Sequence, residues 1–520
     1  MSRASSPNCT RESAFTGCFP HVPVRTIASS ASTYGSRCDT EMTSATFPTS
    51  FLEPWRDLLK STQGDQINDF PNYHVFNSDT LVTSSIPKEI FVGTGLSIFS
   101  RALLPAILEA RRSVHFVTCY WAESPSLDAF KGTLEELARA RKQNGITQPL
   151  RITIGFSSRG LLQKLFHTPS RDGYVYPPSE WCKLGLPDQG LLRDARIDMT
   201  VKSLFFTPLS VMHPKYLVID NEKAWIPSCN MSWERWFEGC IAVEGDIVNR
   251  IVTFHERVWG PGIWSAFGDG QGDIPPGQGD LLPSGHIVPE QDTDANSASQ
   301  SWRFRDGPPV PTIFLPSPHH RNPQFSIFPF LSQGSPPITP LNAALLTLFE
   351  HAQSQITIIT PNVTSWPALE ALLAALARGV DVQVRTSKDM MFIEQLVTAG
   401  TWTSRCLKQF VQRYDQILRE WRATRDVEAR STEPGRLEIL LYKEHGARSG
   451  QADEPVLSHF KATMVDGCYL VLGSGNMDRA SWWTSQEIGL LFYLPSFEGS
   501  TLWESVLRSR TETFFSSHRV

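Results

Sequence analysis

The chain repeats itself. Residues 101–124, RALLPAILEARRSVHFVTCYWAES, run an apolar stretch of helical period into a β-rich run; residues 342–365, NAALLTLFEHAQSQITIITPNVTS, do the same with nearly the same apolar positions. Each is followed by a second amphipathic stretch, LDAFKGTLEELARARKQNG or ALEALLAALARGVD, and then by a strand, LRITIGF or VQVRT. Strands alternating with helices build layered α/β units, and internal duplication is the simplest account of two such series. The expected fold class is therefore α/β: two similar α/β sandwich lobes related by a pseudo-twofold axis. A helical region from about Met390 to Arg422 is extra to the second half.

Gly and Pro crowd the stretch between the repeats, beginning FGDGQGDIPPGQGD, with too little apolar content to fold alone. The boundaries read from this are a disordered tail over residues 1–50, a first lobe over 51–266, a Gly/Pro-rich linker over 267–308 and a second lobe over 309–520. The segment PTIFLPSPHHRNPQF is more apolar and is expected to pack on one of the lobes; its His319, His320 and Arg321 are read as a solvated loop.

Composition narrows the function classes. At 41% hydrophobic and 19% charged residues, a 520-residue chain is of globular type and can bury large cores. A net charge of −5 gives no general pull toward nucleic acid or anionic lipid. Nine scattered cysteines without a Cys-x-x-Cys pair argue against a disulfide framework or a zinc site and for a reducing, intracellular compartment. No apolar run is long enough for a membrane span, so lipid contact is expected to be peripheral and the location cytoplasmic or at a membrane surface. The first residues, with Arg3, Arg11, Arg25 and Arg37 against Glu12, have the composition of a mitochondrial transit peptide but no amphipathic stripe, and are read as tail.

The duplication extends to a polar pattern. MHPKYLVIDNEKAWIPSCN, residues 212–230, and HFKATMVDGCYLVLGSGN, residues 459–476, agree at five positions in type and spacing. His213, Lys215, Asp220, Ser228 and Asn230 match His459, Lys461, Asp466, Ser474 and Asn476. Pro227 stands where the second copy has Gly473. An acid before an apolar run follows each motif: Glu238, 8 residues past its Asn, and Glu487, 11 past. Residues i and i+2 of a strand share a face, so His213 and Lys215 should project together, as should His459 and Lys461.

Two imidazoles, two ammonium groups and two amides facing one cleft suit a phosphodiester. Lys215, Lys461, Asn230 and Asn476 can hold the non-bridging oxygens. One imidazole can attack phosphorus while the other protonates the leaving alcohol and then activates the acceptor. No carboxylate cluster of metal spacing accompanies the motifs, so no metal or cofactor is implied. Glu238 and Glu487 can each fix the tautomer of an imidazole. Cys229 and Cys468 are read as small packing residues. Trp233, Trp236, Trp482 and Trp483 are read as core, with a headgroup or acyl pocket as the alternative.

The doubled His-x-Lys-x4-Asp pattern with its trailing Ser-x-Asn resembles the phospholipase D superfamily, which includes phospholipases D, cardiolipin and phosphatidylserine synthases, endonucleases and tyrosyl-DNA phosphodiesterase. The resemblance spans about Ile90 to His518. It implies a phospholipase D-like fold and a metal-independent reaction through a covalent phosphohistidine. It implies His213 as nucleophile, His459 as general acid and base, and Asp220 and Asp466 as loop supports. It also implies that each acid orients the His of the opposite half, Glu487 with His213 and Glu238 with His459, with Glu244 as the alternative partner of His459. The expected activity is a phosphodiesterase or phosphatidyltransferase acting on phospholipids, in a monomer with internal pseudo-twofold symmetry. A nuclease or DNA-repair phosphodiesterase and a non-catalytic binding member are the alternatives, and the absence of basic runs with interleaved aromatics disfavours nucleic acid.

Overall fold

The computed structural model describes residues 46–160, 173–206, 210–260, 287–289, 296–318, 335–424, 432–495, 497 and 505–517. Most of the tail, the greater part of the Gly/Pro-rich stretch and the His319, His320 and Arg321 segment lie outside these. The first half contains helix α1 (Thr49–Ser61), strands β1 (Val82–Thr94) and β2 (Ser113–Tyr120), helix α2 (Pro125–Gln143), and strands β3 (Leu150–Ser158) and β4 (Ile197–Ser203). Strands β5 (Tyr216–Ile219), β6 (Lys223–Pro227) and β7 (Trp236–Glu244) follow, with helix α3 (Ile247–Trp259). The second half opens with β8 (Gln300–Phe304) and β9 (Val310–Ser317), then α4 (Pro340–His351), β10 (Gln355–Ile359), α5 (Trp366–Ala377) and β11 (Asp381–Thr386). Helices α6 (Phe392–Ala399) and α7 (Thr403–Thr424), strands β12 (Leu437–Tyr442), β13 (Ala462–Val465) and β14 (Tyr469–Gly473), helix α8 (Arg479–Trp483), and strands β15 (Glu487–Tyr493) and β16 (Thr511–Ser516) complete it.

The two halves pair their strands in the same order. In the first half the order is β4, β3, β2, β5, β6, β7, β1. In the second it is β12, β11, β10, β13, β14, β15, β9. The sense agrees at every step: the two pairings at the start of each series are parallel and the rest antiparallel. Parallel neighbours need a crossover, which α2 supplies in one half and α5 in the other. Pro125 opens α2 behind the Ser124 cap, and Phe130, Leu134, Leu137 and Ala138 turn its apolar stripe inward.

The halves share one core, while a second buried cluster, including Phe116, Phe130 and Phe156, belongs to the first half alone. Strand β1 pairs through Val82–Ser85 with β9 of the second half and through Ile86–Thr94 with β7 of the first. One buried apolar cluster takes residues from both halves, with Phe254 of α3 against Phe314 of β9 at 5.6 Å and Phe237 of β7 against Tyr442 of β12 at 5.8 Å.

Two expected boundaries change. Residues 51–61, expected to open the first lobe, pack on the second half instead. Trp55 Nε1 of α1 donates to Pro340 O, and Phe51 meets Tyr469 of β14 at 5.6 Å. The linker expected over 267–308 ends early, because β8 pairs with β1 over Glu89–Val92 and buries Trp302 and Phe304. The extra helical region is two helices, broken at Gly400, whose φ of +65° suits glycine.

Candidate active site

Each His-x-Lys lies in the extended lead-in to a strand and not within the regular strand, which starts one residue after the Lys. The lead-in crosses to the opposite half. His213 N donates to Gln486 O at 2.9 Å and His459 N donates to Phe237 O at 2.8 Å. Gln486 and Phe237 immediately precede the two glutamates, so each backbone bond sets a motif His beside the other half's acid.

The side chains complete that reciprocity. His213 Nδ1 lies 2.7 Å from Glu487 Oε2, and His459 Nδ1 lies 2.9 Å from Glu238 Oε1. Glu244, the alternative partner, instead faces Lys88 at 3.8 Å at the far end of β7. Both site carboxylates are buried and hold further donors. Ser228 Oγ donates to Glu238 Oε2, and Ser474 Oγ donates to Glu487 Oε2 at 2.5 Å. Pro227 leaves this Ser–Glu contact in place. Gly473 sits closer to its neighbour strand, where a Cβ would meet Ile488 O at 2.2 Å.

Lys215 and Lys461 are both buried. Lys215 Nζ donates to His213 O at 3.0 Å, and Lys461 Nζ donates to His459 O at 2.6 Å while lying 2.9 Å from both ring nitrogens of His459. Burial lowers the His213 pKa, with Glu487 opposing and Lys215 assisting. Burial likewise takes His459 down to about 3, Glu238 opposing and Lys461 assisting. Burial raises Glu238, but His459, Lys461 and Ser228 outweigh it and hold this carboxyl below its ordinary value. At neutral pH the pairs are therefore neutral imidazole with, at Glu238, a carboxylate. The proton is assigned to Nδ1, facing the acid, which leaves a lone pair on Nε2. Lys461 is lowered to about 7 by burial and by Lys215, with Glu238 opposing. The influence of Lys461 on His213 and of Lys215 on His459 and Lys461 joins the two motifs in one electrostatic neighbourhood.

Asp220 and Asp466 do not face this cluster. Both have left-handed backbones, φ +56° and +53°, a conformation Asp tolerates in turns. The Asp220 carboxylate accepts from the backbone N–H groups of Arg111, Arg112 and Ser113, and Asp466 accepts from those of Gln353, Ser354 and Gln355. Each aspartate thus ties the motif hairpin to the start of the neighbouring strand, β2 or β10.

Asn230 and Asn476 sit at the other ends of those strands. Tyr120 N donates to Asn230 Oδ1 at 3.4 Å. Asn476 Nδ2 donates to Asp478 at 3.0 Å, while its Oδ1 is buried without a hydrogen-bond partner. Cys229 and Cys468 are buried, and burial raises the Cys229 thiol well above its ordinary value, away from thiolate character. Trp482 and Trp483 are core residues, but Trp236 is half-buried with its ring 4.9 Å from that of His459. Trp233 is 56% exposed, because its loop runs along the surface after Asn230.

Some contributors are unmarked by the repeat. Ser481 Oγ donates to Glu487 Oε1 at 2.7 Å and accepts from Asn476 N at 3.1 Å. It belongs to α8, the short helix that fills the longer spacing between Asn476 and Glu487; that spacing, with Asp478 as a cap three residues before Ser481, was the available signal. Beneath β5, Tyr216 OH bonds His255 Nδ1, His255 Nε2 bonds Thr153 Oγ1, Thr153 bonds His115 Nδ1, and His115 Nε2 bonds Asn221. This chain braces the first motif from below. Among the described residues, no group of three or more His, Cys, Asp or Glu side chains could hold a metal ion. Among them also, no helix is long and apolar enough to cross a membrane.

The family match lies in the second half. Residues 345–498 match the family model described as "Cardiolipin synthase, PLD-like domain". No curated protein matches the chain in sequence. Among solved structures, phosphatidylserine synthase of Haemophilus influenzae Rd KW20 is 12% identical with a TM-score of 0.48, over 89% of this chain and 92% of that one. Polyphosphate kinase of Porphyromonas gingivalis is 10% identical with a TM-score of 0.39, over 80% and 47%. The phospholipase D family member Nuc of Salmonella typhimurium is 16% identical with a TM-score of 0.25, over 39% and 97%. A phospholipase D-like domain is thus matched over residues 345–498, across the second motif, and the first half carries the same polar pattern around His213 and Lys215.

Proposed function

We propose that this protein is a phosphodiesterase or phosphatidyltransferase that acts on phospholipids through a covalent phosphohistidine. The observation that carries the reading is the reciprocal pairing of each motif His with the opposite half's buried glutamate, with a buried lysine behind each. A neutral imidazole whose Nδ1–H is held by a carboxylate presents its Nε2 lone pair outward, which is what attack at phosphorus requires.

In the proposed reaction His213 Nε2 bonds to phosphorus as the P–O bond to the leaving alcohol breaks. His459 delivers the proton to that alcohol. A phosphate anion beside His459 favours its protonated form and opposes the burial that lowers its pKa. His459 then takes a proton from water or an acceptor alcohol, which attacks phosphorus and releases His213. Lys215, Lys461, Asn230 and Asn476 would hold the non-bridging oxygens, their fixed charge and donors replacing the phosphate's water.

The phospholipid class is favoured by the family match to a cardiolipin synthase-type domain and by Trp236 and Trp233 beside the second and first motifs. The test incubates wild type and His459→Ala separately with mixed phospholipids and with oligonucleotides, and follows products by mass spectrometry. Free headgroup or an exchanged phosphatidyl product with wild type alone supports the reading. Cleavage of oligonucleotides with phospholipids untouched would replace it with a nuclease.

A further inference from the structure

Helix α6 is built inside out for a helix facing water. Its inward residue Gln395 is polar and buried, bonding Met390 O, Asn362 Oδ1 and the backbone and hydroxyl of Thr403. Its outward residues are large and apolar. Phe392, Ile393, Leu396 and Val397 fall on one face by helical spacing, Met391 adjoins them, and Ile393 is 76% and Val397 53% exposed. The outward face of a surface helix is ordinarily the polar one. Such concentrated exposure of apolar side chains marks an interaction site.

We propose that this face of α6 is a membrane-docking surface that seats the protein on an anionic phospholipid bilayer; the proposal rests on the reading of a phospholipid substrate. The charge at its rim suits that occupant. Lys388, Arg405 and Lys408 are exposed around the patch, against Glu394 on the helix and the half-buried Asp389, whose carboxylate is engaged by Ser404 N. Trp402 lies at the boundary, its ring 5.5 Å from Phe392 and under the Arg405 guanidinium at 5.6 Å. Apolar face, boundary aromatic and basic rim are what an in-plane interfacial helix carries. A second copy of this chain fits less well. A stable dimer buries roughly 800 Å² per partner, and an eight-residue helix is only about 12 Å long.

The patch is tied to the candidate site. Arg479 Nη1 donates to Thr398 O in the last turn of α6 at 2.9 Å, and Arg479 opens α8, two residues before the Ser481 that holds Glu487. Docking through α6 would bring headgroups to the α8 side of the second motif.

The experiment uses the full chain and vesicles of mixed phosphatidylcholine and phosphatidylglycerol. Wild type should co-sediment with them, and Ile393→Glu combined with Val397→Glu should weaken that partitioning by roughly tenfold or more, with unchanged circular dichroism and unchanged turnover of a soluble short-chain phosphodiester. Separately, Ile393→Trp should give a blue-shifted emission on adding vesicles. Equal sedimentation of wild type and the double variant, or no spectral shift, would overturn the proposal. So would a wild-type dimer that the double variant dissociates while neither binds vesicles. Vesicle binding lost in the variant but without any phospholipid turnover by wild type would keep the docking surface and remove the substrate reading. Phospholipid turnover in detergent with equal vesicle binding would do the reverse.

Discussion

His213 and Glu487 are 274 residues apart in the chain and 2.7 Å apart in space, and each motif His takes its carboxylate partner from the opposite half. The first expectation follows directly. Glu487→Gln keeps the shape and removes the charge that holds the His213 tautomer, so kcat/KM for a phosphodiester should fall by on the order of a hundredfold or more. Glu238→Gln should act similarly through His459, whereas Glu244→Gln should leave kcat/KM near wild type. Steady-state kinetics on the three variants, with circular dichroism to verify folding, makes the comparison.

A second expectation concerns alkaline pH. Lys461 is lowered to about 7, so raising pH through that value strips the charge proposed to bind phosphate. In kcat/KM, which reports the free enzyme, activity should therefore decline on the alkaline side near pH 7, far below an ordinary lysine's range. A bound phosphate anion raises the lysine, so the limb in kcat should lie higher. In Lys461→Arg, which cannot lose its charge in this range, the residual activity should lack that limb.

A third expectation is about stability at acid pH. His74, lowered to about 4 by burial, and His459, lowered to about 3, stay neutral in the folded protein down to about those values, and His115 and His255 are also lowered, first by burial. Once unfolded, each takes up a proton near its ordinary value of about 6.5. Unfolding therefore binds protons between about pH 6.5 and pH 4, and stability falls as pH falls through that window. Thermal unfolding followed across it should show a steadily decreasing Tm, and His74→Phe should flatten part of the slope.

Asp220 and Asp466 supply a fourth. Each accepts three backbone N–H groups from a left-handed turn. Asp220→Ala should cost about 1–2 kcal/mol by leaving those donors without their acceptor and by placing alanine in the left-handed region. Urea unfolding should register the loss, and a variant that retains its fold should keep its KM far better than Lys215→Ala does.

The doubled motif was legible because five polar residues in one copy had partners of the same type and spacing in the other, which chance does not provide. Helical and strand periods located α2, α4, β2 and β10 for the same reason. The choice between Glu238 and Glu244 was not legible. They are six residues apart on one strand and so share a face, and only the level at which the lead-in to His459 crosses β7 separates them. The attachment of α1 to the second half and the sharing of β1 between β7 and β9 are long-range pairings with no local mark. Strand β8 was hidden by the Gly- and Pro-rich residues before it, although QSWRF carries Trp302 and Phe304 on alternate positions. Ser481 had no counterpart in the first half, so comparison of the repeats passed over it.

The account stands or falls on the covalent step at His213. His459→Ala should be mixed in excess over a phosphodiester substrate, denatured at alkaline pH to preserve phosphoramidate, and digested for peptide mass spectrometry. The account predicts a substrate-derived phosphoryl or phosphatidyl adduct on the peptide bearing His213, absent from His213→Ala. An adduct on another residue, or turnover by wild type with no adduct at any quench time in either protein, would contradict it.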